Sequence, residues 1–308
     1  MEEPMISTLN GFEKKIRAQD LNVFSIRVLQ DGGLVGEWNW DQDIRRQQHS
    51  ISKSFTCMAA GLAIEEGKLT LDTKLGEFFN YNTTYRSQDP QLPSPDELTL
   101  YDLLRMSSGH DAPPLWLPER QSLTEKDWAK YYLSLPLDRP PGKQFTYSSG
   151  DTFMISALIQ AAVGETVHHY LNSRLFEPLG IHHVEWETSP LGVTLGCAGL
   201  VISTEELSRF GQMLLDEGAY EGRQLVPAEW IQFATRRHID SVGEGDWSLG
   251  YGCQFWMCSH GAYRGDGAHG QLLVIIPDRR AVIAVNSEED RIQSILDAVW
   301  EEVLPILE

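Results

Sequence analysis

The chain has 308 residues, enough for one large or two small domains with a sizeable core. Its 44 acidic residues against 25 basic ones give a formal charge of −19, which repels phosphate backbones and anionic membrane surfaces and argues against nucleic acid as a partner. The 42% hydrophobic and 22% charged content is that of a folded globular chain, no stretch reaches the roughly 20 apolar residues of a membrane helix, and the acidic opening Met1-Glu2-Glu3-Pro4 is unlike a secretory signal, so a cytoplasmic protein is expected.

An amphipathic opening around Phe12 to Ile16 leads into an apolar, β-branched run from Asn22 to Leu29. Asp31-Gly32-Gly33 then intervenes, and Leu34 to Trp40 resumes the pattern, which predicts a β-hairpin. A helical pattern follows from about Ser52 to Glu66, with Phe55, Met58, Ala59, Leu62 and Ala63 at helical spacing and Gly67 at a plausible C′ position. From about Leu71 to Glu187, helical patterns recur at Leu98 to Met106, Glu125 to Leu135 and Asp151 to Val163, separated by loops rich in proline. Another helix, Thr204 to Asp216, precedes three strand-like runs at Tyr251 to Met257, Leu272 to Ile276 and Ala281 to Asn286. A last helix is predicted over about Asp290 to Leu304.

Strands at both ends with helices between them predict an α/β architecture of the α+β type. An antiparallel sheet is built from both chain ends and flanked by helices, and a mostly helical lobe is inserted. No internal repeat, low-complexity tract or long linker divides the chain. Residues 1–308 are therefore read as a single domain, with an α/β lobe at 1–70 and 190–308 and a helical lobe at 71–189. Cys57, Cys197, Cys253 and Cys258 lack C-x-x-C spacing and sit in apolar surroundings, as reduced packing thiols do.

Three stretches carry candidate chemistry. Ser50-Ile51-Ser52-Lys53 opens an apolar helix, and serine and lysine three apart share a face, so the amine can take the hydroxyl proton near the positive end of the helix dipole. Alone, such a pair is equally an N-cap serine with a solvated lysine. Tyr147-Ser148-Ser149 precedes a helix; a tyrosine beside a nucleophile can shuttle a proton to a leaving group, and Ser149 can bond both lysine and substrate. Arg264-Gly265-Asp266-Gly267-Ala268-His269-Gly270-Gln271 runs into an apolar strand, where glycines admit a substrate close to backbone and free N–H groups can form an oxyanion hole.

The order Ser50-x-x-Lys53, then Leu98-Thr99-Leu100-Tyr101-Asp102-Leu103-Leu104-Arg105-Met106-Ser107-Ser108-Gly109, then Tyr147-x-Ser149 resembles the serine β-lactamase-like superfamily. Phe176-Glu177-Pro178-Leu179-Gly180-Ile181, Ala198-Gly199-Leu200-Val201-Ile202-Ser203-Thr204 and Gly267-Ala268-His269-Gly270-Gln271 extend the likeness over about residues 45 to 285. The nearest branch is that of class C β-lactamases, D-alanyl-D-alanine carboxypeptidases, esterases and nylon-oligomer hydrolases. The resemblance implies a single catalytic domain in which Ser50 is the acyl-enzyme nucleophile and Lys53 the adjacent proton acceptor. It further implies that Tyr147 activates Ser50 or protonates the leaving group, that Ser149 stands where many relatives have asparagine, and that the N–H groups of Ser50 and Ala268 bind the oxyanion.

One departure is informative. Relatives that handle β-lactams or peptide carboxylates usually carry Lys-Thr-Gly or His-x-Gly on the strand facing the nucleophile, whereas this chain has no lysine after Lys143 and no His-x-Gly. Arg264 is a candidate for the missing cation. His269 lies inside the third stretch, and Trp116 and Trp186 are candidates for an apolar substrate pocket. His182, His183 and Glu185 do not make a metal site, because adjacent histidines on an extended segment point to opposite faces. The expected function is a serine hydrolase that cleaves a small-molecule ester, amide or peptide through an acyl-enzyme, with no cofactor. A weak β-lactamase or D-amino-acid peptidase is the alternative, and a non-catalytic sensor of peptides or cell-wall fragments is the alternative of another class.

Overall fold

The computed structural model describes residues 9–40, 42–81, 89 and 91–307. Helix α1 (Asn10–Ala18) precedes the hairpin β1 (Val23–Gln30) and β2 (Gly33–Asn39). A two-residue strand β3 (Arg46–Gln47) and a tight turn at His49–Ile51 lead directly into α2 (Ser52–Glu65). Short helices α3 (Leu100–Leu104), α4 (Leu117–Ser122) and α5 (Trp128–Leu133) are followed by the long α6 (Ser149–Val163) and by α7 (Val167–Leu171). β4 (Glu185–Trp186) and β5 (Leu200–Ile202) join β3 in a small sheet, in the order β3-β5-β4. Next come α8 (Thr204–Leu215), the hairpin β6 (Ala219–Tyr220) and β7 (Arg223–Gln224), and α9 (Ala228–Ala234). The chain closes with β8 (Trp256–Met257), β9 (Tyr263–Gly267), β10 (Gln271–Ile276), β11 (Ala281–Ser287) and α10 (Ile292–Ala298).

The main sheet is antiparallel throughout its recorded pairings, in the order β2-β1-β11-β10-β9-β8, so β1 sits between its hairpin partner and the last strand. Alternation sends Ile26, Val28, Val274 and Ile283 to one face, against Phe12 and Ile16 of α1 and Ile295 and Leu296 of α10. Leu273, Ile275, Val282 and Ala284 face the other way, toward α8. Gly211 permits this contact, because a Cβ there would lie 2.4 Å from Val282 Cγ1. The same apolar core continues without a break through α2 to α6 and α7. No helix among the described residues is long and apolar enough to cross a membrane.

Several elements differ from the sequence expectation. The run Tyr251 to Met257 is a strand only at Trp256–Met257, while the glycine-rich stretch ahead of the predicted strand from Leu272 is over Arg264–Gly267 itself part of a strand, β9. Glycine has low strand propensity, and here packing overrides it. α6 starts at Ser149 and not near Asp151, because the Ser148 hydroxyl caps it by accepting the Asp151 N–H at 3.0 Å. The closing helix is α-helical only to Ala298, then widens into a π turn over Val299–Val303 and ends in a tight turn at Leu304–Ile306, where proline removes a donor. α4 and α9 were not expected.

Candidate active site

α2 is apolar on nearly every side and buried from Ser52 to Ala63, so it forms a central post packed against α6 and α7. Lys53 lies on its first turn and is carried inside with it, 1% exposed. The Lys53 Nζ donates to the Ser50 hydroxyl at 3.0 Å and to the Cys197 carbonyl at 2.9 Å. Segment 196–200 is stitched to the same turn. Thr56 donates to the Gly196 carbonyl at 3.0 Å, the Leu200 N–H to Ser52 at 3.2 Å, and the Gln48 N–H to the Leu200 carbonyl at 2.8 Å.

Burial lowers the Lys53 pKa to about 8, and the nearby Arg120 charge pushes in the same direction, while Asp266 and Asp151 oppose it. An amine in that range is free to accept a proton in mildly alkaline solution. Tyr147, on the segment leading into α6, comes from a distant part of the chain. Burial raises its phenol above the ordinary value, and the Ser50 hydroxyl offsets part of that shift by bonding to it. Lys53 Nζ lies 5.0 Å from the Tyr147 ring centroid. Serine, amine and phenol therefore meet.

Behind Tyr147 stands an aromatic wall of Phe145, Tyr251 and Trp256. Arg264 is behind that wall and fully buried. It pairs with Asp266 at 3.0 Å, and its guanidinium carbon lies 4.6 Å from the Trp247 ring and 5.8 Å from the Trp256 ring. As the candidate for the missing substrate-binding cation it is thereby corrected, since a guanidinium without exposed surface, spent on a carboxylate two residues away, has no fork to offer a ligand.

Strand β9 brings the third stretch against the turn that carries Ser50 and the start of α2. A Cβ on Gly267 would lie 2.5 Å from the Gln48 carbonyl oxygen, and one on Gly265 would lie 3.2 Å from Ser54 Oγ, so these positions need glycine for close approach. Exposed Ala268 follows Gly267, and the next ring, His269, meets that of His49 edge-on at 5.1 Å. His49 and His269 both hold left-handed backbone, φ +46° and +61°, at a cost of order 1 kcal/mol each. Each directly precedes or follows a residue singled out for the oxyanion role, Ser50 or Ala268, which is where such strain tends to gather. The His269 side chain itself is turned to Asp290, 2.8 Å away.

Ser149 is buried in the first turn of α6. Trp116, 43% exposed, lies 6.3 Å ring to ring from Tyr147. Trp186 is elsewhere. It is 7% exposed, packs on Phe55 and Phe176, and donates to the Ala198 carbonyl, so it belongs to the core and not to a substrate pocket. The four cysteines are free and buried. Among the described residues no group of three or more His, Cys, Asp or Glu is placed to hold a metal ion. Sequence reasoning missed the Cys197 carbonyl, Trp256 and Arg120. Pro118 beside Leu117 was a usable signal for the start of α4, on which Arg120 lies.

The model of the family described as Beta-lactamase matches residues 10–297. The chain belongs to that family. It is 23% identical over 276 residues to the 6-aminohexanoate-dimer hydrolase of Paenarthrobacter ureafaciens, covering 83% of this chain and 70% of that protein. It is 27% identical over 173 residues to the D-aminopeptidase of Brucella anthropi, covering 52% of this chain and 32% of that protein. Among solved structures, the octameric penicillin-binding protein homologue from Pyrococcus abyssi superposes with a TM-score of 0.74 at 19% identity, covering 96% of this chain and 76% of that one. This Beta-lactamase family member is thus a serine hydrolase by descent, with amide hydrolases among its relatives.

Proposed function

We propose that the protein hydrolyses a small ester or amide through an acyl-enzyme formed on Ser50, with both lobes contributing to one catalytic unit. The observation that carries this reading is the 3.0 Å contact between Lys53 Nζ and Ser50 Oγ, made by an amine whose pKa is about 8. Lys53 accepts the Ser50 proton as the oxygen attacks the carbonyl carbon. The negative charge that develops on the carbonyl oxygen is held by the N–H groups of Ser50 and Ala268. Tyr147 passes a proton to the departing alcohol or amine, and Ser149 positions substrate and amine. Water, deprotonated through Tyr147 and Lys53, then releases the acid and restores the serine. No step calls on a cofactor.

A fluorophosphonate probe tests the assignment directly. Stoichiometric labelling at Ser50, abolished in Ser50→Ala together with turnover of 4-nitrophenyl esters and anilides, supports it. Absence of labelling in the folded wild type rejects it in favour of a binding protein on the same scaffold. Turnover confined to a chromogenic cephalosporin or to D-amino-acid amides would redirect the substrate class while leaving the nucleophile in place.

A further inference from the structure

We propose that Arg120 is a specificity residue that holds a carboxylate on the acyl portion of the substrate, which makes the preferred substrate a half-ester or half-amide of a dicarboxylic acid. This rests on the acyl-enzyme reading above and deepens it. Trp116 caps the start of α4 and Arg120 follows one turn later on the same side, its N–H donating to the Trp116 carbonyl at 2.9 Å. The Trp116 ring approaches Tyr147 at 6.3 Å, while Arg120 Nη1 donates to Cys197 Sγ at 3.3 Å. The carbonyl of that same cysteine receives the Lys53 amine. α4 therefore bridges the nucleophile, with an aromatic ring toward the phenol and a guanidinium beside the lysine.

Arg120 is only partly buried, and no carboxylate among the described residues lies within ion-pair distance of it, in a chain with 44 acidic residues. Adjacent Glu119 is engaged elsewhere, accepting from the Leu115 N–H and the Tyr131 hydroxyl. The protein partner of Arg120 is a thiol sulfur, a weak acceptor, so its planar fork remains suited to a carboxylate. The contacts run in the order Tyr147, Lys53, Cys197, Arg120. The leaving group takes its proton at the Tyr147 end, so Arg120 faces the part that stays on Ser50. Ser50 Oγ bonds to the carbonyl carbon, the C–O or C–N bond breaks, the alcohol or amine leaves protonated, and the half-acid remains as an ester until water cleaves it.

The test compares mono-4-nitrophenyl adipate with 4-nitrophenyl hexanoate, acyl groups of equal length that differ in a terminal carboxylate, in wild type, Arg120→Gln and Arg120→Lys. A parallel pair, 4-(hexanoyloxy)benzoate and phenyl hexanoate, places the carboxylate on the leaving group. We expect wild type to favour the adipate in kcat/KM, and Arg120→Gln to lower the adipate-to-hexanoate ratio by on the order of tenfold to a hundredfold, with Arg120→Lys between them. Salt should weaken the wild-type preference, which keeps the proposal testable if Arg120→Gln fails to fold. An unchanged ratio in a folded Arg120→Gln, no wild-type preference, or a loss confined to the benzoate pair overturns the proposal. Failure of the acyl-enzyme reading is a different result, in which no hexanoate is turned over and the fluorophosphonate does not label Ser50.

Discussion

The indole of Trp256 stacks on the phenol ring of Tyr147 with centroids 5.4 Å apart and planes inclined by 30°. Trp256 sits on β8 at the edge of the sheet and Tyr147 on the segment leading into α6, so this contact sets the phenol's position relative to Ser50 in the turn that leads into α2. Tyr147→Phe preserves the stack and deletes only the hydroxyl. We expect kcat to fall by about 10²- to 10⁴-fold with little change in melting temperature. Trp256→Ala removes the backing, and both activity and stability should fall, the latter by about 3–5 kcal/mol. Steady-state kinetics beside thermal melts separate the two outcomes, and an active Tyr147→Phe would remove the phenol from the mechanism.

The pH dependence follows from Lys53. Its amine must be neutral to accept a proton, so kcat/KM should rise through a limb near pH 8 and level off above it. Arg120 depresses that pKa, so Arg120→Gln should move the limb upward. Stability carries the matching sign. The folded pKa lies below that of an unfolded lysine, so the cost of the buried ammonium is full below pH 8 and fades as pH rises toward the ordinary lysine value. Lys53→Met should therefore be more stable than wild type at pH 7, by a margin that shrinks toward pH 10. Urea midpoints across that range check the trend, and a margin that grows with pH would contradict it.

Gly267 keeps the third stretch close to the turn that carries Ser50. Gly267→Ala places a methyl group against the Gln48 carbonyl, two residues before Ser50, and should slow fluorophosphonate labelling while the protein remains folded. Gly211→Ala is the contrasting case. Its methyl group meets Val282 and Leu273 on the sheet, and the expected loss is about 1–3 kcal/mol of stability without slower labelling of the folded fraction. Equal labelling rates for the two variants would deny the special role of β9.

The Arg264–Asp266 pair is buried, with side-chain exposures of 0% and 10%. Asp266→Asn leaves the guanidinium uncompensated and should cost about 3–5 kcal/mol. Replacing both, as Arg264→Met with Asp266→Leu, should recover much of that loss. Chemical denaturation of the single and double variants measures the coupling, and additive losses would show that the pair is not a unit.

Much of this arrangement is legible in the chain. The β1–β2 hairpin follows from alternating apolar residues around Asp31-Gly32, and α2 from its helical spacing ended by left-handed Gly67. A meeting of Ser50, Lys53 and Tyr147 is what the family resemblance of the ordered motifs implies. What escaped notice lacks a local signal. β9 is rich in glycine because Gln48 and Ser54 press against it, a demand that appears only in three dimensions. α4 has six residues and no apolar stripe, so although Pro118 signals its start, nothing in its pattern singles out Arg120. Arg264 reads as a candidate substrate-binding cation until Asp266, Trp247 and Trp256 are seen around it.

Strand β1 borders both β2 and β11, with Val28 opposite Gly36 on one side and Ile283 on the other. During synthesis the first hairpin leaves the ribosome long before its second neighbour exists, and its inner edge waits bare until β11 is made. A nascent chain of this design is a natural client for chaperones. A nonsense mutation between Ile276 and Ala281 would leave β1 and β10 each with an unpaired edge prone to aggregation, rather than a shortened enzyme.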